Sequence, residues 1–278
     1  MASHIYTTAL SCLLLLLSSF SQCQAQQLSP TFYDNTCPNA LNIIRIAVTQ
    51  AVSRERRMAA SLIVSISTTA LFRVETLPSY STSHQPERKD GVAKPCLCQG
   101  LRHDRGKREL EKACPGIVSC ADVLSVAARD ATAAVGGPSW TVKLGRRDST
   151  TASRTIDLPS PVANLDTLIS SFATKGLNTR DMFALSGAHT LSQAQCFLFR
   201  DRIYANRTDI DASFASTRRR RCPKDTGNGN LAPLDLVTPN SFNNNYYKNL
   251  LKKKGLLQSN QVLFSSGVTD NIVSRQEP

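Results

Sequence analysis

The chain has 278 residues, 41% of them hydrophobic and 19% charged, with a formal net charge of +12. That balance excludes an intrinsically disordered chain and leaves room for one or two packed lobes. Beyond the N-terminal leader described next, no stretch is apolar enough to span a bilayer, so no membrane partner is expected.

Met1 runs through Leu13 to Leu17 into Cys23-Gln24-Ala25, with small residues where a signal peptidase cuts. Residues 1–25 therefore read as a secretory leader, too short and wrongly flanked for a membrane span. The mature chain, 26–278, is expected outside the cell. Removing Cys12 and Cys23 leaves seven cysteines, at 37, 96, 98, 114, 120, 196 and 222. An odd number in an oxidising compartment leaves at least one thiol without a partner. Secretion also argues against nucleic acid as a partner and gives meaning to the glycosylation sequon Asn206-Arg207-Thr208, used or unused. The positive charge is spread along the chain with one dense run, Arg218 to Arg221. This is either a solvated basic face or a means of retention on an acidic extracellular polymer.

In chain order, Pro38 to Ile63 predicts one helix, with Leu41, Ile44, Val48, Ala51 and Val52 recurring at three and four. From Val64 to Lys107 no period is sustained, and a structureless loop of that length inside a compact domain argues against the assignment or against the segment itself. Patterning returns at Arg108, and Ile117 to Asp130 predicts a helix. Gly136-Gly137-Pro138 predicts a turn before a short extended piece from Trp140 to Leu144, and Leu158 to Pro161 a rigid link. Further helices are expected over Val162–Thr174, with Gly176 as its stop, around Met182–Thr190, and over Ala194–Tyr204, Phe214–Arg221 and Asn244–Lys254. The sum is a mainly α protein with very little β and no internal repeat.

Only four histidines are present. His4 lies in the leader, and His84 and His103 lie in the unpatterned segment, which leaves His189 as the candidate metal or haem ligand. It follows a stretch that Asn178 or Thr179 caps and Asp181 favours, and Gly187-Ala188 are small enough to admit a flat group beside it. A lone imidazole near a helix end is by itself more often structural.

Six stretches taken together resemble one family: QLSPTFYDNTCPNA from Gln27, KACPGIVSCADVLSVAARD from Lys112, GGPSWTVKLGRRDS from Gly136, LPSP from Leu158, MFALSGAHTLSQAQC from Met182 and DLVTPNSFNNNYYKNLL from Asp235. They are similar to the secreted plant (class III) haem peroxidases, over Gln27 to Ile63 and Lys107 to about Thr269. The resemblance implies the haem-peroxidase fold, two helical lobes sandwiching haem b, with His189 as the axial ligand. It implies a proximal calcium site from Thr190, Asp235, Thr238, the carbonyl of Ser241 and position 243, all hard oxygen donors, and makes Pro159 part of the reducing-substrate channel. It pairs Cys37 with Cys114 and Cys196 with Cys222. It further implies a monomeric extracellular enzyme of the cell wall, whose substrates are hydrogen peroxide and small phenolic donors and whose own contribution is to move one proton between the peroxide oxygens.

The chain departs from that pattern where proton transfer is decided. The family writes RLHFHDCF after a helix such as Ala59 to Ile63; here Val64 occupies the distal arginine's place and Thr68 the distal histidine's. Reverse-translated with suitable codons and read one base earlier, Val64 to Val74 becomes RLHFHDCFVQG. In the same frame Glu75 to Pro86 yields DASILLDESPT, the family's distal calcium loop, after one mismatch. Gly91 to Lys107, in the other alternative frame, yields ALPNLASARGYDMIEV. Successive one-base shifts or misplaced exon edges account for this, and make Cys96 and Cys98 accidents of translation rather than a metal site. Asn243 stands where the family has an aspartate calcium ligand, and Asn260 replaces the aspartate that accepts the proximal imidazole's hydrogen bond. The chain stops at Pro278 before the family's last helix and the cysteine that would pair with Cys120, so Cys120 is expected free. Two outcomes follow: a haem peroxidase impaired as written and poor at retaining haem, or a non-catalytic pseudogene product, at most a basic wall-binding protein.

Overall fold

The computed structural model describes residues 27–64, 105–148, 158–205, 207–265 and 267–275. The leader, Thr68, the distal calcium loop and Asn206 lie outside the described residues.

Helix α1, Ala40–Arg54, buries Ala40, Ile44, Val48 and Val52, a stripe at intervals of four that matches the helical repeat. The expected single helix to Ile63 is in fact two. Glu55 is extended (φ −145°, ψ 107°), and α2 follows over 58–64. The apolar spacing runs straight through this break, but Arg54-Glu55-Arg56-Arg57 supplies nothing to bury, and the chain turns there. Arg56 holds the turn by donating to the carbonyl of Asn240 through Nε and Nη2, at 3.2 and 3.1 Å. Ala59, Leu62 and Ile63 then rejoin the same core as α1.

Helix α3, Arg105–Ala113, leads to the disulfide Cys37–Cys114, with Cα atoms 5.8 Å apart, as the family resemblance implied. Helix α4, Cys120–Ala134, starts later than expected because Ser119 takes the N-cap, accepting from the amide of Asp122. It is buried on all sides over Cys120 to Thr132. Two carboxylates fix its first turn. Asp148 accepts from the amides of Cys120 and Ala121 at 2.9 Å each, and buried Asp122 accepts from the Tyr33 hydroxyl at 2.8 Å, the Gly145 amide at 2.7 Å and Arg146 Nη1 at 3.0 Å. Three separated motifs are thereby tied at one point. Among the described residues, the extended piece from Trp140 makes a single bridge, Leu144 to Ser29. Cys120 is itself disulfide-bonded, which corrects the expectation of a free thiol. The other four described cysteines pair among themselves, so its partner lies outside the described residues.

A second cluster is built from α5 (Leu165–Thr174), α6 (Thr179–Ser186), α9 (Asn245–Leu251), α10 (Gln258–Gln261) and α11 (Asp270–Ser274), around Phe172, Met182, Phe183, Tyr246, Tyr247 and Leu250. A third gathers α7 (Arg200–Tyr204), α8 (Ala212–Arg219) and a two-stranded antiparallel ribbon, β1 (Gln193–Gln195) with β2 (Leu231–Pro233), closed by the disulfide Cys196–Cys222. The protein is mainly α with little strand, as its sequence pattern predicts. No helix among the described residues is long and apolar enough to cross a membrane.

Candidate functional site

Of the two capping choices the structure uses Asn178. Its side chain accepts from the amides of Arg180 and Asp181 while Asp181 accepts from Asn178 N, a reciprocal capping box that fixes the start of α6. The α-helix ends at Ser186, and the backbone tightens into a 3₁₀ turn over Gly187–Leu191, so His189 sits on that turn rather than on the helix itself. Gly187 also stands at a close approach that the sequence did not reveal. A Cβ there would come within 3.0 Å of the Tyr247 hydroxyl, which donates to the Phe183 carbonyl at 2.5 Å.

The turn lies on a seam. Ala188 and Leu191 belong to the first core cluster, while the His189 ring meets Tyr246 of the second edge-on, centroids 5.8 Å apart. The residue is half-buried, and its Nδ1 is buried without a hydrogen-bond partner among the described residues. Burial pulls the imidazole down to about 4, with the Asn260 side chain acting the other way. At neutral pH the ring is uncharged and keeps a lone pair to offer a metal. Asn260 is buried too, with its Nδ2 unpaired. The expected hydrogen bond between the two side chains is thus not formed in this amide orientation, and a half-turn of the amide offers Oδ1 to the ring instead.

One residue on, the Thr190 hydroxyl donates to Asp235 Oδ2 at 3.1 Å, and the Thr238 hydroxyl reaches the same oxygen at 3.1 Å. The β ribbon sets this meeting: Gln193 pairs with Pro233, Leu234 N donates to Ser192 O, and Asp235 comes to rest beside Thr190. Ser241 is held by a turn onto the Thr238 carbonyl. Asn243 joins the group, but its Nδ2 donates to the Thr238 hydroxyl at 2.7 Å and its Oδ1 accepts from Asn245 N at 2.9 Å. The sequence-predicted calcium residues are therefore gathered in one place. Asp235 is fully buried, and among its described contacts no cation neutralises it. A buried carboxylate ringed by hydroxyl oxygens suits a hard cation. Asn243 brings no charge to it.

Two residues missed in sequence complete the site. Asn249 Nδ2 donates to Asp235 Oδ1 at 3.2 Å and Asn245 Nδ2 to the Thr238 hydroxyl at 3.0 Å. Their spacing of four on the first turns of α9 was the available signal. Truncating Asp235→Ala strips the acceptor from Thr190, Thr238 and Asn249 side chains and from the amides of Val237 and Thr238. Each buried donor left unpaired costs about 1–3 kcal/mol. The expected loss is a large part of a folding margin of about 5–15 kcal/mol, while Asp235→Asn, keeping one oxygen, loses less. Urea unfolding checks this; an Asp235→Ala midpoint equal to that of the parent chain is the contrary result.

Val64 closes α2 at 38% exposure and has neither a proton to exchange nor a charge. Pro159 is half-buried beside the exposed Leu158.

A family model described as peroxidase matches residues 44–277. The chain is 66% identical over 271 residues to the lignin-forming anionic peroxidase of Nicotiana sylvestris, covering 94% of this chain and 82% of that protein. It is 57% identical over 262 residues to peroxidase 5 of Arabidopsis thaliana, covering 91% and 81%, and 51% identical over 271 residues to peroxidase 22.3 of Oryza sativa subsp. japonica, covering 96% and 84%.

Proposed function

Since the chain belongs to the plant (class III) haem peroxidase family, we propose that it is a secreted, monomeric haem protein directed at hydrogen peroxide and small phenolic donors, and impaired in that task as written. The single observation that carries this reading is His189: an uncharged imidazole on the seam between two core clusters, with its Nδ1 buried and unpaired. The family's cofactors are haem b and calcium. Haem, when bound, supplies the two-electron reduction of peroxide and the one-electron oxidation of the donors.

His189 would hold the iron through Nε2. Thr190, Asp235, Thr238, the Ser241 carbonyl and Asn243 would hold calcium, and because Thr190 is the next residue in the chain, that cation would fix the imidazole's position. With Asn243 neutral, the site is one negative charge short and binds calcium more weakly. Pro159 would line the path of the phenol. On the peroxide side, Val64 and Thr68 can neither take up and return a proton nor stabilise charge on a departing oxygen.

Retention on an acidic wall polymer draws on the exposed Arg220 and Arg221. The other two arginines of the run are occupied. Arg218 lies over the Phe214 ring at 5.3 Å, and Arg219 over Tyr204 at 5.2 Å while donating to the Ile203 carbonyl.

Stopped-flow mixing of the haem-loaded chain with hydrogen peroxide tests the reading. The expected result is a Soret band that changes several orders of magnitude more slowly than that of an intact family member. A change at the intact enzyme's speed contradicts it.

A further inference from the structure

Asp235 is closed off from solvent, and five neutral donors meet it. Oδ1 accepts from the amides of Val237 at 2.9 Å and Thr238 at 3.3 Å and from Asn249 Nδ2 at 3.2 Å, while Oδ2 accepts from the hydroxyls of Thr190 and Thr238 at 3.1 Å each. A carboxylate offers about four lone-pair positions, so its hydrogen-bonding capacity is filled. The Thr238 hydroxyl is used as completely. It gives its one proton to Asp235 and takes Asn243 Nδ2 at 2.7 Å and Asn245 Nδ2 at 3.0 Å on its two lone pairs.

The orientation of the Asn243 amide follows from its other contact. Asn245 N can only donate, so the atom of residue 243 that meets it at 2.9 Å is Oδ1, and the end turned to Thr238 is the NH2. An aspartate carboxylate at 243 could keep the first contact but not the second. Its other oxygen has no proton to give, and it would compete with Asp235 for the single proton of the Thr238 hydroxyl. It would also set a second negative charge beside a buried one, an arrangement that needs a cation. Resting on the calcium part of the function proposed above, we infer that the Asn243 amide takes over the organising role of the cation in this chain. It closes a hydrogen-bonded ring that holds Thr190, and with it the neighbouring His189, on Asp235 without calcium. For these oxygens to face a cation instead, the Thr190 and Thr238 protons must turn away from Asp235 and the Asn243 and Asn245 amides away from Thr238. The result is a fold that does not depend on the metal.

Thermal unfolding of the full chain, followed by helix dichroism in millimolar calcium chloride and in excess EGTA, tests this. A ligand present at about a hundred times its Kd raises the midpoint of a chain of this size by roughly 5–10 °C. The parent is expected to unfold at the same temperature in both buffers, and calorimetric titration with calcium chloride to show no saturable binding below millimolar concentration. Asn243→Asp is expected to unfold below the parent in EGTA and to rise by that interval in calcium, whereas Asn243→Ala falls in both buffers alike. A parent midpoint that climbs with calcium as far as that of Asn243→Asp, or micromolar binding by the parent, overturns the inference and leaves the calcium site standing. An Asn243→Asp chain indifferent to calcium overturns the calcium reading and the inference with it. Should that variant not fold, the two measurements on the parent decide alone. None of these readouts uses the Soret band, so the fate of the haem assignment is a separate result.

Discussion

Grafting RLHFHDCFVQG in place of Val64 to Val74, with the rest of the chain unchanged, is expected to speed the reaction of the haem-loaded protein with peroxide by several orders of magnitude. Positioned acid–base and electrostatic groups typically supply about 10² to 10⁴ each, and Val64 and Thr68 supply neither. The scaffold that would present them is in place. Ala59, Leu62 and Ile63 are buried at 0%, 1% and 6% and fix the rotation of α2, while Val64, the next residue, is 38% exposed. Positions 64 and 68 are one turn apart, so a continued helix would carry a restored arginine and histidine on one face. Because the two groups act on one proton transfer, Thr68→His alone is expected to recover much less than the graft. Stopped-flow absorbance decides it; a grafted chain that holds haem yet reacts no faster than the parent contradicts the account.

What could be read from sequence was local chemistry. The oxygen donors at 190, 235 and 238, singled out by the family resemblance alone, meet through the β1–β2 ribbon, and both disulfides form as that resemblance implied. What escaped was set by tertiary contact. The break at Glu55 is invisible to apolar periodicity and stabilised by a carbonyl 184 residues away. The tightening of the backbone into a 3₁₀ turn under His189 had no marker in the helical pattern, and the Tyr247 hydroxyl, 3.0 Å from where a Cβ at 187 would stand, comes from 60 residues away. Asp122 and Asp148 tie together motifs that, in sequence, had no visible reason to meet. The arginine run read as one basic face divides into two residues stacked on aromatics and two in solvent.

His189→Ala is expected to abolish haem binding, and the site's geometry makes the result clean. The residue is half-buried, its Nδ1 makes no hydrogen bond, and its only described ring neighbour is Tyr246. Removing the imidazole takes away an edge-on contact with Tyr246 and the one hydrogen bond that a turned Asn260 amide can make to it, a loss of about 1–3 kcal/mol that leaves most of the folding margin in place. Losing the axial ligand, by contrast, removes the bond on which retention of the iron depends. Helix content and urea midpoint report on the first effect, and the Soret band on the second, so misfolding cannot pass for loss of a ligand. The direct measurement is an absorption titration of haem into the parent chain and into His189→Ala, side by side at matched helix content. A Soret band that saturates with the parent and fails to develop with the variant is the predicted result; equal bands from the two proteins would contradict the assignment of His189 to the iron.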